Sequence, residues 1–469
     1  MNSVRARPWL LSVVAIALGA AASDLGCSHA APAPAPGPAL TAEQLRDPAT
    51  CGGCHEPHYR EWAGSMHAYA ADDPLFRAMN ARGQRETGGA LGSFCVQCHA
   101  PLAVRAGATR DGLNLDAVDP SLKGITCYYC HSIDDVTGAH NAPLHLATDG
   151  ALRASIADPI ANPAHRAGYS PWHDGGRVEA AKMCGSCHDV QNDHGVDLAR
   201  TYAEWQTTIF ARADPKLRLS CPSCHMAGRD APAATVAGAP IRRVHDHTMA
   251  GVDVALTPFA QTDAQRKAVQ ASLDPSLVTK LCVKLAAGET VAEVTLDDAF
   301  AGHSWPSGAA YHRRAWLEVA AFADDGTEIY RTGAVPDDRS VASVAATDKD
   351  LFHLGDQMFD AAGKPAEMLW EATRIDSALL LPAVTTDPTD PAYFHAVIKS
   401  FSIPRTKKVV RVTSAVHIRP VDFDFVDDLI GSGDLDPALR AKVTTFTLAG
   451  SEREWTLDGV GLFHCIPGP

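Results

Sequence analysis

Apolar and polar residues divide this chain into regions of different texture. Trp9 to Ala22 is an apolar run preceded by Arg5 and Arg7 and followed by small residues. Ser28 to Leu40 is almost entirely Ala and Pro. From Thr41 to about Asp253 short apolar stretches are interrupted by Cys, His, Gly and Pro. Thr262 to Leu273 then reads as one connecting helix. Beyond it come short runs with strand character: Leu277–Leu285, Val291–Leu296, Ala315–Phe322, Thr327–Arg331, Lys408–Ile418, Val443–Leu448 and Glu454–Leu457. Asp325-Gly326 between two of them is a hairpin-turn signal. Seven short strands with turn punctuation predict a β-sandwich. The expected fold class is therefore α+β and multi-domain. A mainly α or irregular region over 43–253 precedes a β-rich domain over 254–469.

The chemistry sits in the middle region. Cys51, Cys54 and His55 form a C-x-x-C-H motif, the attachment signature of a c-type haem. Two thiols on one helical turn can bond the two vinyl groups of one porphyrin, and the histidine that follows is the proximal ligand. The pentapeptide recurs at Cys95, Cys98 and His99, at Cys127, Cys130 and His131, at Cys184, Cys187 and His188, and at Cys221, Cys224 and His225. Five copies predict five covalent haems. Zinc sites or a redox dithiol would not explain a histidine directly after every pair. Roughly forty residues per porphyrin are too few for a conventional aliphatic core. The haems themselves should fill the interior, wrapped by short helices and loops. The motif spacing is irregular, so no tandem array is expected. One local echo stands out, Tyr59-Arg-Glu-Trp62 after the first motif and Tyr202-Ala-Glu-Trp205 after the fourth.

The chain has 469 residues with 46% hydrophobic and 20% charged residues, the composition of a globular protein. Its formal net charge of −14 argues against nucleic acid, whose phosphates need a basic surface. It is compatible with docking to redox partner proteins. Of thirteen cysteines, ten lie in the motifs and Cys27, Cys282 and Cys465 remain. Haem attachment of this kind takes place outside the cytoplasm, where an unlinked thiol pair tends to oxidise. Cys282 and Cys465 are expected to form a disulfide that closes most of the β-rich region.

The N-terminal pattern is that of a secretory signal, assigned to residues 1–26, and the apolar run is short for a membrane span. Cleavage after Ala22 would release a soluble exported protein. Cleavage before Cys27 would give a lipoprotein acylated there, with 27–42 as a semi-rigid tether. Asp24 stands where a lipobox normally has an aliphatic residue. Both routes place the protein in the periplasm or at the cell surface, the second as an outer-membrane lipoprotein.

Sixth ligands must come from the remaining histidines or from methionine. His67 is well placed, twelve residues after His55. His165, His145 and the pair His245 and His247 come next. Ala301-Gly-His-Ser-Trp-Pro-Ser-Gly308 is a loop with His303 at its tip. It is either a structural turn with an exposed histidine or a ligand reaching across to a haem.

These residues carry a resemblance. C-G-G-C-H with E-W-A-G-S-M-H, C-G-S-C-H-D-V with Y-A-E-W-Q, C-P-S-C-H-M and H-D-H-T-M-A-G-V resemble the multihaem c-type cytochrome family that includes the tetrahaem carrier working beside hydroxylamine oxidoreductase. Bacterial relatives continue into a β-rich half with an A-G-H-x-x-P-[ST]-G loop and an R-x-x-W-L-E-V strand, matched here by Ala301–Gly308 and Arg313–Val319. The resemblance implies electron transfer through closely packed, mostly bis-histidine haems. It carries distal roles onto His67, His247 and His303, with His67 serving a haem other than the first. The namesake has four haems, so one here is an addition.

The leading expectation is thus an exported electron carrier. The alternatives are a multihaem reductase or oxidase of a small nitrogen or sulfur compound, with one open haem, and a structural subunit of an oligomeric cytochrome conduit or filament.

Overall fold

Two regions of different build meet along the chain. The computed structural model describes residues 39–459, apart from 213, 287, 288 and 405, together with 464 and 465. The signal segment, Cys27 and nearly all of the Ala/Pro tether lie outside the described residues.

The first region is made of short helices, most of them bounded by a motif, a Pro or a Gly. The longest, Pro74–Glu86, has 13 residues, an Asp73 N-cap and Pro at its first turn. Four small two-stranded ribbons punctuate the helices. Its apolar clusters are small and gather beside motif cysteines. One joins Phe76, Val96 and Leu115 with Cys95 at its edge. Another joins Leu102, Tyr129 and Ile133 with Cys130 and Cys187 at its edge. This is the packing expected where porphyrin rather than aliphatic side chains fills the interior.

The second region is a sandwich of two sheets. The smaller runs Val397–Ile403, Glu289–Asp297, Val278–Ala286 and His464–Cys465. The larger has Phe352–Phe359, Arg314–Ala323 and Val409–Arg419 at its centre, with shorter strands beside them. Glu289–Asp297 alternates exposed or half-buried with fully buried positions, the two-residue period of a sheet with one face inward. Leu281, Val294 and Phe401 of one sheet meet Leu317, Val416 and Trp455 of the other in the main core. Thr262–Leu273 is the helix expected, and it sends Val269 and Leu273 into this core. Cys282 is disulfide-bonded, and the backbone of Cys465 lies directly opposite it in parallel register.

Three differences from the sequence reading matter. Phe352–Phe359 and Val397–Ile403 are strands that the sequence pattern did not announce. The run Val443–Leu448 shrinks to the two-residue strand Phe446–Thr447. Phe423–Gly431 is a helix, burying Phe423, Phe425, Val426 and Leu429. The boundary at 253 is also porous: Val252 and Val254 both lie in the sandwich core.

The regions are tied side by side. Arg313 pairs with Asp253 at 2.9 Å, Arg200 with Asp356 at 2.9 Å, and Arg82 with Asp428. Asn192 donates to the carbonyls of Leu369 and Ala372. Residues Pro38–Pro469 form one compact unit. Among the described residues no helix is long and apolar enough to cross a membrane.

Candidate haem sites

Every motif sits on a helical turn, which places its two cysteines on one side and its histidine beneath. Thr126 caps Cys127–His131 by accepting from the Tyr129 N–H, and Ser220 caps Cys221–His225 with a full capping box. Glu179–His188 carries the fourth motif at its C-terminal end. All ten motif cysteines are unpaired thiols. The donor set for thioether attachment is therefore intact in each motif.

The motif histidines are then met from across the chain. The ring of His165 faces His55 at 6.3 Å between centroids. His67 faces His188 at 6.1 Å, His247 faces His131 at 6.3 Å, and His303 faces His225 at 6.5 Å. Two imidazoles bound to one metal ion have this separation. Each metal–nitrogen bond is about 2 Å, and each ring centre lies about 1.1 Å beyond its nitrogen, giving roughly 6.2 Å.

Hydrogen bonding leaves the correct nitrogen free. Nδ1 of His55 lies 3.0 Å from Ala233 O, that of His99 3.1 Å from Ala70 O, and that of His225 3.0 Å from Ala250 O. On the facing side, Nδ1 of His165, His247 and His303 is directed at the carbonyls of Arg166, His245 and Ser304. A ring that donates its Nδ1–H to a carbonyl presents the Nε2 lone pair, and this orients metal-ligating histidines. Burial, reinforced by neighbouring histidines, pushes His67, His131, His247 and His303 down to about 4. They are neutral at pH 7, the state a metal ligand requires. The residues present fit haem c.

His99 differs. Phe76 stacks on its ring at 4.0 Å and 6°, and among the described residues no histidine ring faces it. A cavity of about 520 Å³ lined by Ser93, Val104, Thr109 and Arg110 lies two residues ahead of Cys95.

His145, expected as a ligand, is placed elsewhere. Its side chain is 61% exposed, Nδ1 lies 2.5 Å from Asp134, and it faces no motif histidine. The ring opposite His131 is His247. His173 also stacks near His131, but its Nε2 is directed at Cys130 O at 2.8 Å and so is engaged.

Thiol positions give the order of the sites in space. Cys51 lies near Cys127, Cys98 near Cys187, and Cys184 near Cys221. Cys130 and Cys187 border one apolar cluster. The first motif therefore abuts the third, and the fourth lies next to the second, third and fifth.

Sequence reasoning missed Glu61. It accepts from His58 at 3.3 Å, from the His247 backbone N–H at 3.1 Å and from Arg229 at 2.8 Å. Burial alone would raise its pKa, but these bonds and the Arg229 charge outweigh it and hold it low. Ligand atoms of His58, Glu61 and His247 lie within 4.8 Å of one another. With Nδ1 of His247 engaged by His245 O and Glu61 by Arg229, the trio reads as outer support for His247. Its signal was the Tyr-x-Glu-Trp echo.

Residues 50–132, spanning the first three motifs, match the family of cytochrome c554 and c-prime. The fold is similar to the crystal structure of a penta-heme cytochrome c552 from Thermochromatium tepidum. The TM-score is 0.61 at 22% identity, covering 88% of this chain and all of that one. This chain has the fold of that cytochrome. No curated protein sequence matches the chain.

Proposed function

We propose that this chain is an exported electron-transfer protein carrying five covalent c-type haems, four of them bis-histidine. The observation that carries this reading is the set of four facing imidazole pairs, each joining a motif histidine to a distant one. His55 with His165, His188 with His67, His131 with His247 and His225 with His303 would hold the irons. When bound, haem supplies the one-electron iron couple, and bis-histidine ligation keeps its potential low. The chain fixes the rings of His55, His131, His165, His225, His247 and His303 through backbone carbonyls and brings the attachment edges of neighbouring sites together. Electrons would pass among sites one, three, four and five, with site two joined at site four. The N-terminal segment and the extracytoplasmic chemistry of haem attachment support export, either free or tethered at Cys27. The partners on this reading are other redox proteins. Intact-mass measurement of the exported holoprotein tests it. Five haem additions and reversible reduction are expected, whereas fewer than five additions or redox-inactive haems would sink the proposal.

A second reading concerns one site. Among the described residues His99 alone of the motif histidines lacks a facing histidine, so site two would keep an open position where a small ligand binds, as the reductase or oxidase alternative requires. Cyanide added to the oxidised protein should alter about one fifth of the haem absorbance. No spectral change would remove this reading and leave the carrier.

A further inference from the structure

Tyr59-Arg60-Glu61-Trp62 and Tyr202-Ala203-Glu204-Trp205 lie on the helices Glu56–Ala63 and Thr201–Thr207. Each shared residue makes the same kind of contact in both. The tyrosine covers the glycine that follows the first cysteine of its own motif. A Cβ on Gly52 would come within 2.9 Å of Tyr59, and one on Gly185 within 2.2 Å of Tyr202. The tryptophan reaches a different motif. Trp62 Nε1–H donates to Ile125 O at 2.8 Å, and Trp205 Nε1–H to Leu219 O at 3.0 Å. Each carbonyl stands two residues before a motif cysteine, Cys127 or Cys221, and the residue between is the N-cap, Thr126 or Ser220.

The glutamate completes the pattern. Glu61 accepts the backbone N–H of His247, whose ring faces His131. Glu204 accepts the backbone N–H of Ser304 at 3.2 Å and the Ser307 hydroxyl at 2.7 Å. Ser304 follows His303, whose ring faces His225. Each glutamate also has an arginine near it, Arg229 at 2.8 Å or Arg200 at 3.8 Å. The helices of the linked motifs pack together in both cases, Pro48–Gly52 on Cys127–His131 and Glu179–His188 on Cys221–His225, with Cys51 near Cys127 and Cys184 near Cys221.

We infer that the chain contains two copies of one two-site module, motif one with three and motif four with five. Within it, Glu61 and Glu204 are equivalent positioning residues, each carried behind one site and fixing the distal histidine of the other. The spacing hides the repeat. The tyrosine comes four residues after His55 but fourteen after His188, because the ribbon Asp189–Gln191 with Asp197–Arg200 is inserted. The partner motif begins 65 residues after Trp62 but 16 after Trp205, because the second motif occupies the longer interval. A carboxylate accepting a backbone N–H makes a charge-assisted bond, strong enough to hold a ligand loop. Outer partners of this kind tune metal sites.

The inference rests on the proposed ligand roles of His247 and His303. Its test uses the full-length, haem-loaded protein with His303→Ala, Glu204→Ala, Glu204→Gln and the double variant Glu204→Ala/His303→Ala. His303→Ala should turn one haem in five high-spin. Glu204→Ala should give high-spin signal at that same haem, so the double variant should contain one high-spin haem more than the parent and not two. Glu204→Gln keeps an acceptor for the loop, so it should stay low-spin while the potential of one haem rises on loss of the negative charge. Glu61→Ala with His247→Ala should repeat the pattern at site three. Two additional high-spin haems in the double variant, or unchanged potentials in both Glu204 variants, would overturn the positioning role while leaving the ligand assignment intact. If His303→Ala itself adds no high-spin haem to the parent's, the ligand reading fails and this inference falls with it.

Discussion

The fifteen motif residues are legible in the sequence because their chemistry is local: two thiols and an imidazole within five positions. The facing histidines are not local. His247 follows His131 by 116 residues and His303 follows His225 by 78, so spacing carries no record of the pairing. Proximity along the chain also misleads. His145 lies between two motifs, yet Asp134 holds it on the surface. His67 belongs to the stretch of the first motif but faces His188 of the fourth, while His55 is met by the distant His165 at 6.3 Å as well as by its helix neighbour His58 at 6.5 Å. His67→Ala should therefore turn one haem high-spin, and His67→Ala/His165→Ala two, read from the optical and paramagnetic resonance spectra. Equal signals from the single and double variants would mean that both histidines serve one iron. A different histidine contributes to acid stability. His312 is buried between Tyr311 and Phe425, with Nε2 2.6 Å from Glu367 O. Burial pushes it down to about 3 against the carbonyl's opposing effect. Its ordinary value is 6.5, so between those values the unfolded chain binds the proton and the folded one does not. The stability it contributes is complete above pH 6.5 and is lost as pH falls toward 3, at most about 1.4 kcal/mol per pH unit. His312→Asn should flatten the melting profile across that window. An unchanged slope would exclude His312 as its source.

At the scale of elements, the sandwich was readable where strands alternate cleanly, as in Glu289–Asp297 and Arg314–Ala323. It was unreadable where context decides. Phe352–Phe359 contains Gly355 and Asp356 and is held as a strand by pairing with Arg314–Ala323, Pro365–Ala366 and Arg374–Ala378. The helix Phe423–Gly431 was obscured by its aspartates, although Phe423, Val426 and Ile430 recur at helical spacing. Its start is fixed by a buried ion pair: Asp422 meets Arg419 at 2.6 Å and also accepts the Val341 N–H at 2.9 Å. Removing one partner of such a pair leaves an uncompensated buried charge. Asp422→Ala should cost about 3–5 kcal/mol in denaturant unfolding, with the spectrum of the folded haem sites unchanged. A loss below about 1 kcal/mol would mean that Arg419 is satisfied by the carbonyls of Arg339 and Pro336 alone.

The whole molecule follows from what fills its two regions. The sandwich has a continuous apolar core, whereas the motif-bearing region has small clusters beside cysteines. Five closely set C-x-x-C-H motifs, proposed as haem attachment sites, would account for that difference. The sandwich in turn sets the ring of His303 opposite His225 of the fifth motif. The loop with His303 at its tip could be read from the sequence as a ligand reaching across this boundary, but its pairing with His225 is one that spacing alone did not give. The central claim is four bis-histidine sites and one, at His99, without a facing histidine. Quantitative paramagnetic resonance on the oxidised full-length holoprotein tests it most directly. The account predicts four low-spin haems and one high-spin haem per chain. Five low-spin haems would contradict the open second site, and two or more high-spin haems would contradict the paired imidazoles.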